Sequence, residues 1–133
     1  MAMHTKILMI LSAVVMAVIG LAASFFPQEI LAYADAWSEV FEVTIVQVIG
    51  ALYLGFAMLN WTARGDLIGG IYSRPVALAN FMHTGIVTVL LGKIVMVNHL
   101  PELILGVVIY GVFAAWFAAV LFSQPKAENH GNS

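Results

Sequence analysis

No cysteine occurs in the chain. Disulfides, thiolate metal sites and thiol redox chemistry are thereby excluded, a quinone-linked disulfide mechanism among them. Charge is almost as scarce: Asp, Glu, Lys and Arg make up 9% of the 133 residues, against roughly 25% in an ordinary soluble domain. Hydrophobic residues make up 62%. The few charges are clustered, which leaves four stretches almost free of them: Ile7–Phe26, Val43–Trp61, Val76–Val97 and Leu103–Phe122. Each is about the 20 residues that cross a hydrocarbon core of about 30 Å as a helix.

The length is that of one domain. The expected fold is therefore all-α, a single antiparallel four-helix transmembrane bundle over residues 1–122. The polar remainder, "SQPKAENHGNS", reads as a disordered cytoplasmic tail over 123–133. "MAMHTK" followed by an apolar run also suits a secretory signal. That run is longer than the usual h-region of about 7–15 residues, and bulky Phe25 and Phe26 follow it, so a retained helix is expected.

Basic residues fall on one side of these spans, except Lys93 near the outer end of the third. Lys6 precedes the first, Arg64 and Arg74 lie between the second and third, Lys126 follows the fourth, and Pro27–Glu42 contains neither Lys nor Arg. The positive-inside rule then puts both termini in the cytoplasm. Within "PQEILAYADAWSEVFE", Ile30, Tyr33, Ala34, Trp37, Val40 and Phe41 recur at helical spacing, opposite Gln28, Asp35, Glu39 and Glu42. The pattern predicts a short amphipathic helix on the outer surface with its aromatic rings at headgroup depth. Its acidic face is a solvated face, or, with His99, a weak cation or partner site lacking any specific metal spacing. In the inner loop, Gly65-Asp66 and Gly69-Gly70 read as turns, and Arg64 and Arg74 are candidates for headgroup binding. No Gly-Lys-Ser/Thr ending makes this a nucleotide loop. Pro75 and Pro101 suit the first turns of the third and fourth spans.

Helices in lipid associate through close packing and polar contacts. The small residues that allow close packing are Ala13, Ala17, Gly20 and Ser24 in the first span, Ala51 and Gly55 in the second, and Gly111, Ala115 and Ala119 in the fourth, with Ala114 and Ala118 alongside. The two adjacent small faces of the fourth span suggest a seam for a homo-oligomer or a larger membrane complex.

The segment "NFMHTGIVTVLLGK" carries asparagine, histidine and lysine within an apolar run. A hydrogen-bonding group left unpaired in hydrocarbon costs several kcal/mol, so each needs a partner. Counting outward from the inner loop pairs Asn60 with Asn80, Tyr53 with His83, and Gln47 or Glu42 with Lys93. His83 and Lys93 are about 15 Å apart along the helix and about 80° apart around it, so they form no common site. Lys93 also has a simpler explanation, its stem carrying the ammonium out to the headgroups. Asn80, His83 and Thr84 share a face. An ionisable residue near mid-membrane is a functional-site hypothesis, and imidazole relays protons or binds metal or haem iron. The plainer reading is a neutral histidine hydrogen-bonded to Tyr53 or a carbonyl, with the asparagines as interhelical contacts.

A span, an acidic amphipathic outer loop and three further spans on short loops resemble small bacterial four-helix membrane proteins of the DoxX-like and related uncharacterised groups. The stretches "FFPQEIL", "GALYLGFAMLNW" and "GGIYSRPVALANFMH" carry the likeness over about the first two thirds of the chain. It implies an inner-membrane bundle and transfers no catalytic residue. No nucleophile-base-orienter set and no complete metal set is present, and no cofactor or nucleic acid is implied. The leading expectation is a non-catalytic accessory or assembly protein that holds a lipid or apolar ligand between the second and third spans. Two others stand beside it: a small carrier or proton-conducting subunit using His83, Tyr53 and Asn80, and a haem- or quinone-linked redox protein centred on His83.

Overall fold

A computed structural model describes residues 2–34, 39–66 and 73–122, the side chains of residues 2 and 3 excepted. All regular structure among the described residues is helical. The helices are α1 (Ala2–Phe25), α2 (Pro27–Tyr33), α3 (Val40–Thr62), α4 (Arg74–Asn98) and α5 (Ile104–Phe122), with single 3-10 turns at Ala63–Gly65 and Pro101–Leu103. Four of them, all but α2, are long and apolar enough to cross a membrane. The chain falls into two compact units, Met1–Gly65 and Asp66–Ser133.

The first unit is built on the pairing of α1 with α3. Its register follows from which residues meet: Gly20 lies against Leu54 and Gly50, Gly50 against Ser24, and Asn60 against Ser12. Numbers rise on one helix as they fall on the other, so the pair is antiparallel. Contact is closest at two glycines. A Cβ added to Gly50 would stand 2.5 Å from Ser24 Oγ and 2.7 Å from its backbone nitrogen, and one added to Gly20 would stand 2.9 Å from the Leu54 nitrogen. No side chain fits between the backbones there.

This corrects the expected packing face of the second span. Gly55 has no atom within 4 Å of an added Cβ, and Ala51 is exposed. The face turned to α1 carries Gly50, Ala57 and Asn60, all buried. On α1 the expected stripe is closer to the mark, with Ala13 and Gly20 buried and Ala17 and Ser24 partly so.

The helix expected across residues 27–42 is shorter than its pattern suggested. α2 starts with Pro27 in its first turn, where no amide partner is needed. It ends as the Ala34 N–H donates to the Ile30 carbonyl at 3.0 Å. Glu39 is then extended (φ −75°, ψ 164°) and caps α3, so Val40, Phe41 and Glu42 belong to the first turn of α3 and not to the surface helix. An extended residue cannot continue a helix. Asp35 and Trp37 lie outside the described residues.

In the second unit α4 packs on α5, again antiparallel: Phe81 meets Phe122 edge to face, Thr88 lies near Gly111, and Leu91 near Gly106. α5 turns Tyr110, Phe113 and Phe117 inward, a bulky aromatic face. Pro75 lies in the first turn of α4 and Pro101 opens the 3-10 turn before α5. Between them, His99 ends α4 in the left-handed conformation at φ 53°. Glycine is the usual residue at such a stop, and histidine is among the few others enriched there. His99 thus has a backbone role.

Candidate functional site

Charged and polar residues in α1, α3, α4 and α5 are few, and the ones that are buried form two sets, one in each unit. In the first, Asn60 near the end of α3 is fully buried, as is Ser12 on α1. The Asn60 amide donates to Ser12 Oγ at 3.0 Å and reaches Met16 Sδ at 3.6 Å. Ser12 in turn donates to the Met9 carbonyl at 3.1 Å. The hydroxyl is therefore both donor and acceptor, which lets one small side chain satisfy an amide and its own helix together.

In the second set, α4 carries a ladder of side chains bonded back to the preceding turn. Asn80 Nδ2 donates to the Val76 carbonyl at 2.9 Å, Thr84 Oγ1 to that of Asn80 at 2.7 Å, and Thr88 Oγ1 to that of Thr84 at 2.7 Å. The four-residue spacing puts one polar group on each successive turn of one face. Asn80 and Thr84 are completely buried. Back-bonding of this kind lets hydroxyls and amides sit in apolar surroundings without a second helix. His83 flanks the ladder, half-buried, and its ring meets Tyr110 of α5 edge-on, centroids 6.1 Å apart and planes at 63°.

The pairings drawn from depth counting, Tyr53 with His83, Asn60 with Asn80 and Lys93 with Gln47 or Glu42, each join a residue of one unit to a residue of the other. Gln47 donates to the Ser24 carbonyl at 3.4 Å, and the Oε2 atom of Glu42 is buried with no hydrogen bond among the described residues. Tyr53 is half-buried on α3. Lys93 is exposed, a turn and a half from the end of α4, the position that snorkelling requires.

The two arginines differ. The Arg64 guanidinium lies 4.1 Å from the centre of the Trp61 ring and donates to the Trp61 carbonyl at the end of α3, an arrangement that satisfies both its charge and the helix terminus. Arg74, the first residue of α4, is exposed. Among the described residues no three of His, Asp and Glu gather as a group able to hold a metal ion.

Ser12, Met16, Thr88 and Tyr110 were not singled out from sequence. A serine in an otherwise apolar run, and a threonine four residues beyond Thr84, are the same signal that drew attention to Asn60 and Asn80. Comparison with protein-family models, with curated proteins and with solved structures finds no match.

Proposed function

We propose that the chain is a multi-pass integral membrane protein without catalytic chemistry of its own, an accessory or assembly component that binds lipid or another apolar ligand. Its two hairpins form one antiparallel four-helix transmembrane bundle. One observation carries the reading: large apolar side chains cover the exposed faces of the helices, while several polar side chains are fully buried between them. Ser12, Asn60, Asn80 and Thr84 are each 0% exposed, whereas Val18, Leu52, Met58 and Val89 are each more than 60% exposed. Water would disfavour so much exposed apolar surface, because hydrophobic burial drives folding there. Lipid tails are as apolar as leucine and exert no such pull, so polar contacts and close backbones hold the helices.

The same physics supports self-association through α5. Its aromatic face is turned toward α4, while Ala115 and Ala119 are exposed on the other side, leaving small side chains where another helix can approach closely. The basic residues Lys6, Arg64, Arg74 and Lys126 favour cytoplasmic termini. We place the chain in the bacterial inner membrane on the order of its spans and loops, which resembles that of DoxX-like proteins.

The reading is tested by expressing the chain in a bacterium and washing the membranes with alkaline carbonate. Retention in the membrane pellet, with release by detergent alone, is the expected result. Extraction by carbonate refutes membrane integration. A proton-conducting role is tested in parallel: proteoliposomes under an imposed pH gradient should leak no faster than empty ones.

A further inference from the structure

On the membrane reading above, we propose that α4 carries a binding site for one anionic phospholipid, its phosphate held by Arg74 and an acyl chain laid along the helix to a notch at Gly85. The notch is an apolar groove of about 380 Å³ lined by Phe81, Met82, Gly85, Ile86, Val89 and Leu90. Its floor is Gly85, where an added Cβ would meet no atom within 4 Å, and its walls at Met82, Ile86 and Val89 are exposed.

Charge and depth select the occupant. Arg74 precedes Gly85 by eleven residues, which on a helix is about 16 Å along the axis and only about 20° around it. Leu78, four residues on from Arg74 and exposed, lies about 40° around, so cation, apolar track and notch share one face. α4 has 25 residues, a length of about 37 Å, which exceeds a hydrocarbon core of about 30 Å by a few Å at each end. Arg74 then stands at headgroup level and Gly85 close to the bilayer centre, where an acyl chain of that leaflet ends. A cation at headgroup depth above an apolar track that deepens at mid-bilayer matches a lipid with an anionic head. Among the described residues no ring or helix terminus claims Arg74, in contrast to Arg64 on Trp61.

Native mass spectrometry of detergent-released protein, incubated with equal amounts of phosphatidylglycerol and phosphatidylcholine, tests this. Wild type should retain one phosphatidylglycerol in preference to phosphatidylcholine by several-fold. Arg74→Gln should abolish the preference, and Gly85→Leu, whose Cβ meets no atom within 4 Å and whose side chain fills the notch, should lower retention of both lipids alike. Equal retention of the two lipids by wild type, or a preference unchanged in both variants, means annular lipid only and overturns the site. Membrane integration is read separately from the carbonate wash, so a failed site and a failed membrane assignment give different results.

Discussion

The Asn60 side-chain amide donates to the Ser12 hydroxyl at 3.0 Å, joining α3 to α1 between two fully buried residues. It lies near the end of the hairpin opposite to the Gly50 and Ser24 contact, so the pair fixes register at one end while the glycines fix separation at the other. Interhelical hydrogen bonds in membranes are worth about 0.6–2 kcal/mol. A double-mutant cycle with Ser12→Ala and Asn60→Leu should return a coupling of that size in an unfolding titration in mild detergent. Simple additivity of the two substitutions would show that the bond contributes nothing.

Gly50→Ala and Gly55→Ala should diverge although both put a methyl on α3. At Gly50 the new Cβ meets the Ser24 backbone, so the helices must part at a cost of about 1–3 kcal/mol. At Gly55 the space is open and alanine is the better helix former by about 1 kcal/mol. Thermal unfolding followed by circular dichroism should rank the proteins Gly55→Ala, wild type, Gly50→Ala in falling order.

The edge-on contact of His83 with Tyr110 should tolerate loss of the hydroxyl better than loss of the ring. Aromatic pairs contribute about 0.5–1.5 kcal/mol beyond their buried area. Tyr110→Phe should therefore keep more of the stability of the α4–α5 hairpin than Tyr110→Leu. Equal losses in the two variants would assign the stabilisation to the hydroxyl instead.

These predictions rest on contacts of unequal legibility. The helices could be read from charge-poor runs because lipid-length apolar stretches have few other uses, and Pro75 and Pro101 marked two starts. The packing face of α3 could not, since nearly every position on it is apolar and periodicity then carries no sign of which side is inward. Ala51 and Gly55 look as suitable as Gly50 and Ala57 in the sequence; only the backbone of α1 distinguishes them. Asn60, Asn80, His83 and Thr84 stood out as polar residues in apolar runs. The bonds of Asn80 to Val76 and of Asn60 to Ser12 were not read from the sequence, because depth counting compares heights on neighbouring spans and does not consider a bond made within one helix or to a helix earlier in the chain. The left-handed stop at His99 carries no glycine to announce it.

The central claim is a chain that crosses the membrane four times with its basic loop inside, and the absence of cysteine makes the direct measurement clean. Single-cysteine variants at His4, Gln28, Asp66 and Glu102 should be labelled in intact bacteria with a membrane-impermeant maleimide. Gln28→Cys and Glu102→Cys should react in intact cells, and His4→Cys and Asp66→Cys only after the membrane is opened. Equal labelling of all four in intact cells, or protection of Gln28→Cys and Glu102→Cys alone, would contradict the account.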